Sequence, residues 1–214
     1  NKPKDECGIF GVSNDQNAGN LVALGLHALQ HRGQDSTGIV TSDKNNFYAH
    51  RGMGQVSEVF SNKELLNTLK GSMSIGHNRY GTTGESALKN VQPLFSELSV
   101  GGVAIAHNGN LTNTHQLKEK LIKSGSIFQS TSDTEVILHL LSTASGTLLE
   151  RLTYALNSIS GAYSLLIMTN SKLIGVRDPF GIRPLVLGKY KNSYILSSES
   201  CGLDIIGAEL IRDI

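Results

Sequence analysis

The chain has 214 residues, 19 Lys and Arg against 18 Asp and Glu, and a formal net charge of +1. That length supports one sizeable domain or at most two small ones, and the balanced, scattered charge offers no basic footprint for nucleic acid or an anionic membrane. Two cysteines, Cys7 and Cys201, are too few for a disulfide-stapled secreted scaffold and fit a reducing, cytoplasmic setting; no apolar run is long enough to span a bilayer.

Residues 1–6, NKPKDE, read as a polar leader without the apolar segment of a secretory signal. Behind it, Cys7-Gly8-Ile9-Phe10-Gly11-Val12 predicts a strand covered on both faces. A cysteine in such a strand is by position alone a small buried hydrophobe. It becomes a nucleophile only with a base beside it. Cleavage after Glu6 would supply one, because a free α-amine has a reference pKa of about 7.7 to 8.0 and an amide nitrogen is no base. After a polar loop over 13–20, Leu21, Leu24, Ala28 and Leu29 recur at helical spacing, and His31-Arg32-Gly33 predicts the helix end, with Gly33 in a left-handed cap.

Residues 38–41 and 46–50 predict a strand pair, 64–70 a helix and 73–79 a strand. From Tyr80 to Pro93 the chain is rich in small polar residues, which predicts a mobile loop. Residues 100–106 predict a strand ending in a tight turn at His107-Asn108-Gly109-Asn110. Leu117, Leu121 and Ile122 mark a helix closing at Gly125; Ser132 and Glu135 have the spacing of a capping box before Val136, Ile137, Leu140 and Leu141; a third helix carries Leu148 to Ile159. Strand signals at 162–168, 173–176, 185–190 and 194–197 predict a meander. Strands grouped at both ends with helices between them argue for one α+β domain, two sheets face to face with helices outside. Cys201 has no neighbouring motif and reads as core.

Six blocks now stand in order: CGIFG at 7–11, HRGQDSTG at 31–38, GHNRYGTTG at 76–84, HNGNL at 107–111, SDTE at 132–135 and RDPFGIRPL at 177–185. Together they resemble the glutaminase domain of the amidophosphoribosyltransferases, within the class II glutamine amidotransferases, and the resemblance covers the chain from Cys7 onward. It implies a four-layer αββα sandwich of the N-terminal nucleophile hydrolase type, with 1–6 as a propeptide and 7–214 as the domain.

The resemblance also implies roles. Cys7 is the nucleophile that attacks the glutamine side-chain amide. Asn108 and Gly109 form the oxyanion hole, Arg79 and Asp133 read the α-carboxylate and α-ammonium of glutamine, Arg32 supports the nucleophile, and Thr82 contacts substrate. Tyr80 would couple loop closure to a second domain, or simply pack; Arg177, Asp178 and Arg183 brace a turn. Gly81 stands where many relatives have proline. No metal or cofactor is expected in this chain: magnesium, and in some relatives an iron-sulfur cluster, would belong to a phosphoribosyltransferase domain that binds phosphoribosyl pyrophosphate and is absent here. Glutamine and that domain are the expected partners, and the parent enzyme is expected to be a homo-oligomer. Two other readings stand beside this one, a non-phosphoribosyl amide hydrolase of the same fold and an unprocessed binding or regulatory module.

Overall fold

The computed structural model describes residues 7–80 and 87–214. In chain order the elements are β1 (Gly8–Ser13), α1 (Ala18–Ala28), a 3-10 turn (Gln30–Arg32), β2 (Ser36–Ser42), β3 (Phe47–Met53), α2 (Val56–Val59), α3 (Lys63–Thr68) and β4 (Met73–Arg79). Then follow a 3-10 turn (Leu88–Asn90), β5 (Leu94–Leu98), β6 (Gly101–Leu111), α4 (Thr114–Lys123), α5 (Thr134–Thr143), α6 (Leu148–Ser158) and β7 (Gly161–Thr169). The last elements are β8 (Leu173–Arg177), β9 (Val186–Tyr190), β10 (Ser193–Ser197), α7 (Cys201–Asp204) and β11 (Glu209–Asp213). No helix among the described residues is long and apolar enough to cross a membrane.

The strands form two antiparallel sheets, β11-β9-β10-β1-β4-β2-β3 and β5-β6-β7-β8. Three apolar layers hold them. Phe10, Val12, Val22, Leu26 and Leu29 pack α1 on the larger sheet. Ile9, Val40, Ile75, Ala104, Ala106 and Leu166 fill the space between the sheets. Ile105, Val136, Ile137, Leu141, Leu152 and Leu165 pack α4 to α6 on the smaller sheet. The architecture is therefore αββα, as expected. Alternation along β1 explains it locally, since Ile9 faces the other sheet while Phe10 faces α1, so the strand is apolar on both sides. Gly25 allows the fit: a Cβ there would lie 2.5 Å from the Phe10 ring.

Several local expectations are corrected. Residues 107–110 are the end of strand β6, where Gly109 pairs with Tyr163, and not a tight turn. The strands after α6 make no single meander: β7 and β8 close the smaller sheet, while β9 and β10 belong to the larger one. Gly33 is extended at φ −167° instead of left-handed; a side chain is excluded there because its Cβ would lie 2.6 Å from the Arg79 carbonyl carbon. Ser132 and Glu135 form no capping box, because the Glu135 carboxylate turns back to accept from the N–H groups of Gln129 and Ser130, both at 2.8 Å. Reciprocal boxes occur instead at Gln55 with Glu58 and Thr147 with Glu150. The helix after the first loop begins earlier than expected, at Ala18, and β5 and β11 were not foreseen.

Candidate active site

Cys7 stands at the mouth of β1, one residue before pairing begins at Gly8 with Asn78. Its backbone is at φ +60°, a region that non-glycine residues enter at a cost of about 1 to 3 kcal/mol and that recurs at functional sites. Two bonds to Arg32 hold it there: Cys7 N donates to the Arg32 carbonyl at 3.0 Å, and Arg32 Nε donates to the Cys7 carbonyl at 2.6 Å. Arg32 sits in the 3-10 turn behind α1 and is 1% exposed. Its Nη1 is paired with the Glu199 carboxylate.

A cavity of about 310 Å³ opens beside Cys7, lined by Arg79, Tyr80, His107, Gly109 and Asp133 among others. Arg79 ends β4 and is largely buried. Between the cavity and the smaller sheet runs the end of β6. Gly109 has φ +149°, and any Cβ there would collide with the Ala162 carbonyl oxygen and lie 2.7 Å from Tyr163 Cα, so the position demands glycine. Asn108 is fully buried, yet among the described residues neither its side-chain nitrogen nor its oxygen has a hydrogen-bond partner. Leaving such atoms unmade costs about 1 to 3 kcal/mol each, and native structures keep them where function needs them.

Asp133 precedes α5. Its Oδ2 accepts from Leu111 N at 3.0 Å, and His107 Nδ1 lies 3.4 Å from Oδ1. Burial pushes the Asp133 carboxyl up, but the charge and hydrogen bond of His107 and the N–H groups of Leu111 and Thr134 outweigh it and hold it below the ordinary value. The result is an anion facing the cavity. His77, fully buried on β4, donates through Nε2 to the His107 carbonyl at 3.1 Å, and His107 N donates to Gln92 Oε1 at 2.7 Å. Burial pulls the His77 pKa down to about 3, so its ring is neutral at physiological pH.

Of the predicted site residues, the structure brings Cys7, Arg79, Gly109 and Asp133 to one cavity, with Asn108 buried beside it and Arg32 behind Cys7. Thr82 and the rest of 81–86 lie outside the described residues. Arg177 braces its turn as expected, donating to the carbonyls of Arg183, Gly181 and Ile214, and Asp178 accepts from the N–H groups of Phe180, Ile182 and Arg183. Cys201 is not core. It is partly exposed at the start of α7, its Sγ 3.7 Å from Glu199 Oε2, where burial and then that carboxylate push its thiol up. His107, Gln92 and Glu199 were missed; His107 carried a signal, lying inside the HNGN block. His31, Glu199 and Cys201 form the only group of potential metal-ligating side chains that converge among the described residues, and the Arg32 cation already balances their carboxylate.

The sequence model of a family described as "Glutamine amidotransferase domain" matches residues 77–204. An amidophosphoribosyltransferase of Rhizobium etli is 54% identical over 211 residues, covering 98% of this chain and 42% of that protein. The solved structure of a glutamine phosphoribosylpyrophosphate amidotransferase from B. subtilis superposes with TM-score 0.92 at 43% identity, over 97% of this chain and 45% of that one. A structure described as the allosteric regulatory enzyme of purine biosynthesis gives 0.93 at 44%, over the same shares. The chain thus spans less than half the length of these three relatives.

Proposed function

The chain belongs to the glutamine amidotransferase domain family, and we propose that it hydrolyses the side-chain amide of glutamine through Cys7 and that its ammonia serves amidophosphoribosyl transfer in purine biosynthesis. The observation that carries the reading is Asn108, whose buried side-chain N–H groups have no acceptor among the described residues and could donate to an oxyanion formed beside Cys7.

The chemistry follows from the residues. Removal of residues 1–6 converts the Cys7 nitrogen from amide to amine. That amine takes the thiol proton, directly or through a water, and the sulfur attacks the amide carbon of glutamine. Charge collects on the carbonyl oxygen, where the Asn108 side-chain N–H and the Gly109 backbone N–H donate to it. The C–N bond breaks as the ammonium of Cys7 returns its proton to the leaving nitrogen. Ammonia departs and a γ-glutamyl thioester remains, which water hydrolyses to glutamate and free thiol.

Arg79 and Asp133 supply recognition. A guanidinium matches the α-carboxylate in a two-pronged contact, and the Asp133 anion matches the α-ammonium. An N-acylated amide lacks that ammonium and would set a neutral group against the Asp133 carboxylate, which disfavours it. Thr82 is assigned a contact with glutamine from the motif alone. Transfer of ammonia to phosphoribosyl pyrophosphate is assigned to the part of the relatives that this chain does not span. Magnesium and any iron-sulfur cluster are assigned to that part too, and the cytoplasm is the compartment proposed.

A reactive glutamine analogue that alkylates thiols tests the assignment. It should label Cys7 stoichiometrically in processed protein, and Cys7→Ala should lose both the label and all glutaminase turnover while keeping its fold. Turnover retained in Cys7→Ala would defeat the reading.

A further inference from the structure

Glu199 has no part in the chemistry above, yet it is tied to the nucleophile from two sides. The turn that carries it, between β10 and α7, is joined to the nucleophile's own strand: Ile9 N donates to Ser198 Oγ at 3.0 Å, and Ser198 N donates to the Ile9 carbonyl at 3.0 Å. From that turn the carboxylate receives Arg32 Nη1 on Oε1, while His31 Nε2 at 3.1 Å and Cys201 Sγ at 3.7 Å approach Oε2. Burial pushes the Glu199 carboxyl up, and the hydrogen bonds and charges of Arg32 and His31 more than reverse this, so it stands as an anion.

The consequence lies at Cys7. A guanidinium as buried as that of Arg32 needs both geometry and counter-charge to stay in place. Arg32 in turn holds both backbone polar atoms of Cys7, accepting from its nitrogen and donating to its carbonyl oxygen. The atom fixed at the end of this chain is the nitrogen whose lone pair must take the thiol proton. We propose that Glu199 is a positioning residue for the Cys7 nucleophile, acting by fixing the Arg32 guanidinium. The inference rests on the proposed glutaminase for one of its readouts.

Displacing a reacting group by about 1 Å can cost on the order of 10²-fold in rate while leaving substrate binding intact. In processed full-length protein, Glu199→Gln should therefore lower kcat at least about tenfold with KM for glutamine within about twofold, since the cavity residues that read glutamine are untouched. Glu199→Asp, which keeps the charge, should recover part of the loss and gives the test if the Gln variant does not fold. Alkylation of Cys7 by iodoacetamide without glutamine should slow in parallel. Because Glu199 acts through Arg32, adding Glu199→Gln to Arg32→Lys should cost no more than about twofold beyond Arg32→Lys alone. Cys201→Ala, which removes a long contact to Oε2 and leaves the Arg32 bond to Oε1 in place, should leave kcat within about twofold.

Wild-type kcat and alkylation rate in Glu199→Gln would overturn the inference, as would a loss in KM alone or full additivity with Arg32→Lys. If the wild type proves to have no glutaminase activity, the failure belongs to the proposed function, and the alkylation rates alone still support or overturn the positioning role.

Discussion

At the scale of single residues, the site is defined by groups whose local chemistry is unsatisfied or forced. Cys7 holds a left-handed backbone, Gly109 accepts a conformation closed to any side chain, and Asn108 buries an amide without partners among the described residues. The proposed mechanism gives each a reason: an aimed nucleophile, a backbone donor that can approach a tetrahedral centre, and a second donor reserved for it. Removing one such donor typically costs about 10² to 10³ in kcat. Asn108→Ala is accordingly expected to lower kcat by that amount with KM changed less than about threefold, measured by glutamate release at saturating and limiting glutamine. A normal kcat in that variant would remove Asn108 from the oxyanion hole.

Most of these residues were legible in the sequence, because ordered motifs identify residue types and the resemblance assigns them work. Their conformations were not. Asn-Gly is a strong local turn signal, and it lost at 108–109 because β7 comes close enough along the strand to exclude a side chain at 109. Gly33 was misread for the same reason, its partner being the backbone of Arg79. Glu199 left no local signal at all, since its partner Arg32 lies 167 positions away.

At the scale of elements, β4 carries the clearest physical liability. It places His77 between the sheets, where the neutral ring spends its N–H on the His107 carbonyl and its Nδ1 has no partner among the described residues. The folded pKa of about 3 lies below the ordinary histidine value of 6.5, so between those two values the unfolded chain binds a proton that the native protein refuses. Stability from this group is complete above about pH 6.5 and is lost as pH falls toward 3. Each pH unit in that window is worth about 1.4 kcal/mol. In urea titrations between pH 6.5 and 4, wild type should lose stability more steeply than His77→Gln by up to that amount per unit. Equal slopes would mean that His77 is not kept neutral by burial. The strand was nevertheless read at 73–79, the bounds it has; what its half-apolar sequence, MSIGHNR, did not show is that every residue of it is buried. The helices were easier to read, because α4, α5 and α6 each cover one face of a sheet and keep the periodicity that burial of one face imposes.

At the scale of the whole molecule, three apolar layers and two sheets hold the end of β1 against the end of β6, and the cavity lies where those ends meet Asp133 before α5. The layer order was readable from doubly apolar strands such as β1, together with strands grouped at both ends of the chain. The division of the last strands between two sheets was not, because hairpin spacing is the same whichever sheet receives the hairpin. The central claim joins this architecture to one covalent change: the nitrogen at the head of β1 becomes a base only when it is a free amine. The most direct test measures glutamate and ammonia release from glutamine by protein that begins at Cys7, beside protein that retains residues 1–6. Turnover confined to the processed form is the predicted result; equal turnover with the leader attached, or none in folded protein that begins at Cys7, would contradict the account.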